Sequence, residues 1–227
     1  MIIFGHRGAM GYAFENSIAS FKKALELNCR WIELDVYNVE NNLVVFHDDK
    51  LERCTNGFGR VSDKTYSEIS ALRLRNGEYI PLLEEVLKMI GGSASVNIEL
   101  KGENTALLTV ELIREYLKKG WSKEQFLISS FNHIELSTIH KIDSSLRIGA
   151  LTCSIPMNYA EFAQKMNAYS IHCSSDFINY EYVEDAHRRG LKVFVYTINE
   201  IDEFYRMKAL GVDGIFTNFP DVFMEKF

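Results

Sequence analysis

Two short segments of the sequence place acidic side chains within apolar runs. Glu33 and Asp35 lie in WIELDV, residues 31–36, and Glu99 lies in SVNIEL, residues 95–100. Because an uncompensated buried charge is costly, carboxylates in such positions must be protonated, paired or bound to a cation. Ligand sets made of oxygen alone favour a hard cation. The pattern is therefore consistent with one divalent ion, Mg2+ or Ca2+, and Mn2+ is also possible.

Two histidines and two basic residues could complete a site for phosphate chemistry. His6 and Arg7 begin HRG, His47 begins HDD, and Lys101 directly follows SVNIEL. Two imidazoles can supply an acid and a base near neutral pH. The arginine fork and the lysine ammonium suit phosphate oxygens. Together with a divalent cation, these groups suit phosphoryl transfer. The alternative is a structural ion-pair network of the three acids with Arg7 and Lys101.

The elements that would position these residues alternate between short β-rich runs and helical patterns. Eight runs are expected to form parallel strands, at residues 2–5, 31–35, 95–100, 126–129, 147–151, 169–173, 192–196 and 213–217. Helical patterns lie near residues 17–28, 82–90, 104–119, 132–142, 159–167, 180–190 and 200–210. Eight parallel strands with crossover helices predict an α/β protein with a (β/α)8 TIM-barrel fold. A doubly wound open sheet is the structural alternative.

One further apolar run, at residues 43–47, does not fit this alternation. Only about seven residues separate it from Asp35, whereas a parallel crossover needs roughly a dozen or more. The turn residues ENN at 40–42 make a hairpin the better interpretation. We therefore expect a single domain over residues 1–227, with an insertion at about 36–80 between strand 2 and helix 2.

The barrel would bring the polar residues together at one rim. Because side chains alternate along a strand, Glu33 and Asp35 share one face, and Glu99 and Lys101 share one face of the next strand. Both pairs lie at carboxyl ends of strands, where barrel enzymes place their chemistry. His6 ends the first strand, and the hairpin would return His47 to the same rim. His172 also ends a strand, but its neighbours indicate no role.

Composition excludes some functions. The formal net charge of −6 argues against general binding of nucleic acid, which needs a basic footprint. No apolar segment is long enough for a signal peptide or a transmembrane segment, so a cytoplasmic location is expected. The four cysteines are scattered and contain no C-x-x-C pair, which favours reduced thiols over a disulfide framework or a zinc site. The oligomeric state is left open.

The motifs, taken in order, resemble those of the glycerophosphodiester phosphodiesterase family. The matching segments are HRG (6–8), ENS (15–17), ELD (33–35), HDD (47–49), TNGFG (55–59), IPLLEEVL (80–87), IELK (98–101), SSF (129–131), YTIN (196–199) and DGIFTNFPD (213–221). Each motif is short, but their combined order and spacing are specific. The resemblance implies a (β/α)8 barrel with an insertion after strand 2. It also implies metal-dependent hydrolysis of a small glycerophosphodiester to glycerol 3-phosphate and an alcohol.

The resemblance also implies roles for individual residues. Glu33, Asp35 and Glu99 would hold the metal, His6 and His47 would form the acid/base pair, Arg7 and Lys101 would bind the phosphate, and Glu15 would support these residues by holding Arg7. Phe131 and Tyr196 would either line the pocket for the glycerol or alcohol group, or pack as ordinary barrel core.

This chain departs from the family pattern at three places. FENS replaces a usual Pro-Glu-Asn-Thr, Tyr196 replaces a usual tryptophan, and Asn218 replaces a usual aspartate. The departures at Tyr196 and Asn218 bear on substrate preference more than on catalysis, because none of the three affects a metal or histidine position.

Three other functions remain as alternatives. The same barrel could act on lysophospholipids, in the manner of a lysophospholipase D. Lys101 could serve as the amine nucleophile of an isomerase or aldolase, although the neighbouring acids favour its charged form. The barrel could also bind a metal or ligand without catalysis, but no expected metal or histidine position is missing.

Overall fold

A computed structural model describes residues 1–224 of the chain. Within that range the strands are β1 (Ile2–Gly5), β2 (Trp31–Val39), β3 (Asn42–Val45), β4 (Ser95–Leu100), β5 (Phe126–Ser130), β6 (Arg147–Thr152), β7 (Ser170–Ser174), β8 (Lys192–Tyr196) and β9 (Gly214–Thr217). The helices are α1 (Ile18–Glu26), α2 (Tyr66–Ala71), α3 (Leu83–Ile90), α4 (Ala106–Lys118), α5 (His133–Ile142), α6 (Glu161–Lys165), α7 (Tyr180–Arg188), α8 (Ile201–Leu210) and α9 (Pro220–Met224). Two short 3-10 helices cover Val61–Asp63 and Lys123–Gln125.

Eight of the strands form a closed parallel barrel. β1 pairs with β9 on one side and with β2 on the other, and the order continues through β4, β5, β6, β7 and β8 back to β9. Every pairing within this ring is parallel. Helices connect the strands, as right-handed crossovers of parallel strands require. The predicted (β/α)8 barrel is confirmed, and the open-sheet alternative is wrong.

The remaining strand, β3, is antiparallel and pairs only with β2 among the strands of residues 1–224. Val36 lies opposite Val45 and Val39 lies opposite Asn42, so β2 and β3 form the predicted hairpin. β2 continues four residues beyond its predicted end at Asp35. The hairpin leads the chain out over the barrel rim and back toward it at His47.

The hairpin and the segment that follows it share an apolar cluster that is separate from the main core. The cluster consists of Val39, Val44, Phe46, Leu51, Cys54, Val61, Ile69, Leu74 and Ile80. Ile69 in the cluster belongs to helix α2, which was not predicted from the sequence. This helix begins at the N-cap Thr65, which forms a capping box with Glu68. Burial of these side chains, each contributing about 1.5–3 kcal/mol, fixes the segment as an ordered cover beside the barrel rim.

Apolar side chains pack on both the outer and the inner face of the barrel strands. The outer layer joins the strands to the helices and forms the main core. The inner layer is a plug of Phe4, Leu127, Phe194 and Phe216, in which the rings of Phe4 and Phe216 stack with centroids 4.5 Å apart. The plug closes the lower barrel, so the space above it opens at the carboxyl ends of the strands. No helix within residues 1–224 is long and apolar enough to cross a membrane.

Candidate active site

A cavity of about 210 Å3 lies at the carboxyl ends of the barrel strands. Nine of the ten site residues predicted from the sequence line it, within the part of the chain that the structure describes. These are His6, Arg7, Glu33, Asp35, His47, Glu99, Lys101, Phe131 and Tyr196. The tenth, Glu15, lies behind Arg7 and contacts its guanidinium group. Strand register therefore brings together residues that are distant in the sequence.

The three predicted metal ligands face one another in this cavity. Asp35 lies opposite Glu99 in the register of β2 and β4. Glu33 is the preceding inward-facing residue of β2, two positions before Asp35. Their carboxylates each offer an oxygen within 4.8 Å of the others. Burial raises the pKa of Glu33 well above its ordinary value, and the charges of Asp35 and Glu99 raise it further. Burial and the charge of Asp35 raise the pKa of Glu99 to about 7.

When ionised, the three acids outnumber the two cations that contact them within the described part of the chain. Lys101 donates to Glu99 at 2.9 Å, and Arg7 Nε lies 3.5 Å from Asp35. Even so, the pKa of Glu99 stays above its ordinary value. A hard divalent cation fits such a cluster, because it would supply the missing positive charge to an all-oxygen ligand set.

A backbone amide and Asn16 hold two of the three carboxylates, those of Glu33 and Asp35, in place. The backbone amide of Arg7, which has a left-handed φ of 50°, donates to Glu33 Oε2 at 2.8 Å. Asn16 Nδ2 donates to Asp35 Oδ2 at 2.9 Å. Asn16 was not among the predicted site residues, although it lies in the ENS motif. These contacts orient one oxygen of each carboxylate, which preorganises the cluster.

Arg7 is held by a carboxylate, as the resemblance implied. Its Nη1 donates to Glu15 Oε1 at 2.7 Å. Burial alone would lower the pKa of Arg7, but Asp35, Glu15 and Glu33 outweigh that effect and raise it. Arg7 is therefore a fixed positive charge at the cavity wall, directly suited to an anionic ligand.

His6 and His47 each have one ring nitrogen engaged in a hydrogen bond. His6 Nδ1 lies 2.8 Å from Asn218 Oδ1, and His47 Nδ1 lies 2.7 Å from Asp48 Oδ1. Because these oxygens can only accept, the Nδ1 atoms donate and the Nε2 atoms carry the lone pairs. Burial and the nearby Arg7 lower the pKa of His6 to about 4. Burial also lowers the pKa of His47. Both rings are neutral at pH 7, and each can accept a proton at Nε2.

Lys101 is a charged residue of the cavity, not an amine nucleophile. Burial alone would lower its pKa, but the charges of Glu99 and Asp35 outweigh burial and raise it. Its Nζ lies 3.9 Å from Asp35 as well as 2.9 Å from Glu99. An amine nucleophile needs a lowered pKa. The geometry therefore argues against the isomerase or aldolase alternative and favours binding of an anion.

Aromatic side chains form one wall of the cavity. Phe131 and Tyr196 meet edge to face, with ring centroids 6.0 Å apart, and Tyr196 donates to the Thr152 carbonyl at 2.8 Å. Phe131 is exposed at the mouth. Both rings line the cavity, and Tyr196 also packs against the inner plug of the barrel. An apolar wall opposite charged groups suits a ligand with a charged centre and a carbon-rich substituent.

His172, for which the sequence predicted no role, reaches the floor of the cavity. Its ring is fully buried, and Nε2 lies 2.9 Å from Ser170 Oγ. Burial lowers its pKa to about 3. The alternation of polar residues at positions 170, 172 and 174 is the signal that could have placed this histidine on the inner face of β7.

Arg53 is another residue near the site that was not predicted from the sequence. It lies in the segment after the hairpin and donates hydrogen bonds to both Glu15 and Asp48. No periodic pattern surrounds Arg53, and its two partners lie 38 and 5 residues away in the sequence. The HDD motif before it and the TNGFG motif after it marked this region as part of the resemblance, but neither includes Arg53.

Comparison with known proteins agrees with this geometry. Residues 6–222 match the glycerophosphoryl diester phosphodiesterase family. A glycerophosphodiester phosphodiesterase of Caldanaerobacter subterraneus subsp. tengcongensis is 38% identical over 232 residues, which cover 97% of this chain and 95% of that protein. The structure of an Oleispira antarctica phosphodiesterase in complex with the product sn-glycerol-3-phosphate is similar, with a TM-score of 0.89 and 28% identity, covering 99% of this chain and 96% of that one.

A second solved structure leads to the same assignment. A glycerophosphodiester phosphodiesterase of Thermotoga maritima has a TM-score of 0.79 and 27% identity, covering 100% of this chain and 98% of that one. The similarity therefore extends over the whole barrel and includes the segments that carry the cavity residues. The chain belongs to the glycerophosphoryl diester phosphodiesterase family.

Proposed function

We propose that this chain, a phosphoric diester hydrolase by family, converts small glycerophosphodiesters to glycerol 3-phosphate and an alcohol. The proposal includes one divalent cation and a pair of histidines as acid and base. The observation that carries it is the meeting of three carboxylates, two basic residues and the neutral imidazoles of His6 and His47 in one cavity. The product complex of the Oleispira phosphodiesterase supports the choice of glycerol 3-phosphate.

Glu33, Asp35 and Glu99 would hold the cation, with Mg2+, Ca2+ or Mn2+ as the candidates. When bound, a divalent ion would neutralise phosphate oxygens and lower the pKa of a nearby hydroxyl group. Arg7 and Lys101 would bind the remaining phosphate oxygens, because both stay positively charged in the cavity. The phosphate would thus be fixed between positive charges on both sides.

His6 and His47 would carry out the proton transfers. Each presents Nε2 while Nδ1 is held, by Asn218 in one case and by Asp48 in the other. One imidazole would accept the proton of the attacking hydroxyl at Nε2. The other would first take up a proton at Nε2 to become imidazolium, and would then give that proton to the departing alkoxide. Phe131 and Tyr196 would pack against the glycerol or alcohol group.

A metal-dependent assay tests this function. Purified protein is assayed on glycerophosphocholine and glycerophosphoethanolamine, treated with a chelator, and then supplied with Mg2+, Ca2+ or Mn2+ singly. We expect activity to vanish with the chelator and to return with at least one of the ions. Glu33→Ala and His47→Ala should remove nearly all activity, whereas the exposed Glu111→Ala on α4 should retain it. Activity that survives chelation would refute the role of the metal, and no activity at all would favour a non-catalytic barrel.

Lysophospholipids are the second candidate substrates, and one observation favours them. Large apolar side chains are exposed on the loop after β6 and at the start of α5, at the same end of the barrel as the cavity. Ile134 is 77% exposed and Met157 is 99% exposed. Such residues could contact an acyl chain. Met157→Glu should then lower turnover of lysophosphatidylcholine without affecting glycerophosphocholine, and Tyr205→Glu, at an exposed position in the middle of α8, should change neither. Equal turnover of lysophosphatidylcholine by Met157→Glu and the wild type would exclude this role.

A further inference from the structure

A second cluster of metal-ligating side chains lies beside the first, at the junction between the barrel and the segment after the hairpin. Glu15, His47 and Asp48 each offer a ligand atom within 4.8 Å of the others. The guanidinium group of Arg53 makes four hydrogen bonds to the two acids of this cluster. Nη1 donates to Glu15 Oε2 at 2.7 Å and Nη2 to Glu15 Oε1 at 2.7 Å. Nε donates to Asp48 Oδ2 at 2.5 Å and Nη2 to Asp48 Oδ1 at 2.7 Å.

We propose that Arg53 is a positioning residue that takes the place of a second cation and fixes both Arg7, through Glu15, and His47, through Asp48. The inference rests on the proposed function, because the proposed function assigns Arg7 to phosphate binding and His47 to proton transfer. Arg53 itself does not line the cavity among the described residues, so it acts through its partners.

The first of these connections runs from Arg53 to Arg7. Glu15 is buried and receives hydrogen bonds from both guanidinium groups, with Arg7 Nη1 and Arg53 Nη2 sharing its Oε1. Burial opposes ionisation of Glu15, but the two arginines lower its pKa to about 2. A carboxylate gripped at both oxygens has one orientation. Without Arg53, Glu15 would lose its bidentate partner, and the position of Arg7 would loosen.

The second connection runs from Arg53 to His47. This histidine follows β3, which ends at Val45, and therefore lies on irregular backbone and not on a barrel strand. Its ring is oriented by Asp48, and Arg53 holds both oxygens of Asp48. A proton-transfer group must be held to within a fraction of an ångström of its productive position. Arg53 thus fixes the orientation of the His47 ring, which no regular secondary structure holds at this position.

The backbone at Arg53 is well anchored for such a task. Its neighbours Leu51 and Cys54 are buried in the apolar cluster beside the rim. The amide of Leu51 donates to the Gly59 carbonyl at 3.0 Å, and the amide of Thr55 donates to the Leu51 carbonyl at 2.9 Å. A planar fork on a fixed backbone can join four carboxylate oxygens at once, which a lysine ammonium cannot do.

Substitution of Arg53 tests the proposal, with Arg60 as the matched control. Arg60 comes from the same segment, is similarly exposed at 55% against 52%, and pairs with Asp49, next to Asp48. At saturating metal we expect Arg53→Ala to lower kcat/KM on glycerophosphocholine by about 100-fold, as loss of an outer supporting residue does. Arg53→Lys should recover little of this loss, and Arg60→Ala should stay within about twofold of the wild type.

Chemical rescue separates positioning from a merely structural role. Because Arg53 is half exposed, added guanidinium ion, far below unfolding concentrations, can enter the gap in Arg53→Ala. We expect it to restore activity, whereas sodium chloride at the same ionic strength should not. In a double-mutant cycle, Asp48→Asn should cost less activity in the Arg53→Ala background than in the wild type. Both changes break the same connection, which runs from Arg53 through Asp48 to His47.

The outcomes distinguish the two proposals. If the wild type is active and Arg53→Ala keeps its activity, the role of Arg53 is overturned and the proposed function stands. A loss of activity that follows a loss of folded protein, without rescue by guanidinium, also overturns the positioning role. If the wild type hydrolyses no glycerophosphodiester, the proposed function fails, and the role of Arg53 fails with it.

Discussion

His6 Nδ1 lies 2.8 Å from Asn218 Oδ1, where the carboxyl ends of β1 and β9 meet. Asn218 is itself fixed, because its backbone amide donates to Asn199 Oδ1 at 2.9 Å. A neutral amide oxygen orients the imidazole of His6 without adding the negative charge that an aspartate would bring. Burial therefore keeps the pKa of His6 at about 4, and the ring offers a lone pair at Nε2.

Asn218→Asp should change the pH dependence of activity. A carboxylate at this position would stabilise the imidazolium form of His6 and raise its pKa. If neutral His6 accepts a proton in the reaction, the acid limb of the kcat profile should move to higher pH. The measurement is kcat on glycerophosphocholine from about pH 5 to pH 9.

Asn167→Asp is the matched control for this experiment. It makes the same change of charge beside another histidine, His140, on the surface away from the cavity. We expect its pH profile to match that of the wild type. An acid limb that stays in place in Asn218→Asp would show that proton transfer does not depend on the charge state of His6.

The barrel and its group of three acids could be predicted because both follow from local patterns. Each apolar run of four to six residues predicts a strand, and eight parallel strands have few ways to close. Once β2 and β4 are neighbours, alternation places Glu33, Asp35 and Glu99 on the inner face. The short spacing before residue 43 predicted the antiparallel β3 in the same way.

Other features depend on contacts that no local pattern encodes. Helix α2 has six residues and is stabilised by the apolar cluster around Ile69, so its own sequence is a weak signal. Arg53 reaches Glu15 across 38 residues of sequence through a loop. His172 was passed over because a single histidine in a strand has no partner in the sequence that explains it. Tertiary packing, not propensity, determines all three.

Cation binding should stabilise the protein more at high pH than at low pH. The pKa of Glu99 is raised from 4.5 to about 7, and that of Glu33 is also raised. Because the folded state holds these protons more tightly than the unfolded state, the metal-free protein loses stability as pH rises from about 4.5 through about 7. A bound cation would reverse that loss.

Thermal unfolding with and without a divalent ion measures this effect. We expect the rise in Tm on adding the ion to be larger at about pH 8 than at about pH 5, where protons compete for the carboxylates. Glu99→Gln should reduce the dependence on pH, and the exposed Glu111→Gln should leave it unchanged. An equal rise in Tm at both pH values would contradict a shared site on these acids.

His172 should make the fold sensitive to acid. Its ring lies against Phe194 and Phe216, with centroids 5.4 and 5.2 Å away, and burial lowers its pKa from 6.5 to about 3. The unfolded chain takes up the proton first, so stability is lost as pH falls from 6.5 toward 3. Between pH 7 and pH 5 the loss from this one group should be about 2 kcal/mol.

Denaturant unfolding of His172→Gln at the two pH values measures this contribution. The fall in the free energy of unfolding from pH 7 to pH 5 should be about 2 kcal/mol smaller than in the wild type, because glutamine does not titrate. His140→Gln, on the outer surface of α5, serves as the control and should behave as the wild type does. A variant with the full acid sensitivity of the wild type would assign that sensitivity to other groups.

Glu135 should be one of the most important single side chains for stability near the site. The carboxylate of this buried residue of α5 accepts hydrogen bonds from the backbone amides of Asn104 at 2.9 Å, Thr105 at 3.1 Å and Ala106 at 2.8 Å. It therefore caps the first turn of α4, where the helix dipole favours negative charge. Glu135→Ala would leave three amides without their acceptor, and we expect a loss of about 3 kcal/mol in the free energy of unfolding.

The loss should extend to function, because residues 102–105 connect Lys101 to α4. When the cap is removed, this loop can shift, and Lys101 loses part of its fixed position. Glu135→Ala should thus weaken inhibition by glycerol 3-phosphate at a temperature where the variant is still folded. Glu135→Gln, which keeps an acceptor oxygen, should lose less of both properties, and Glu111→Ala on the exposed face of α4 should lose neither. A loss below about 1 kcal/mol in Glu135→Ala would mean that water replaces the carboxylate at these amides.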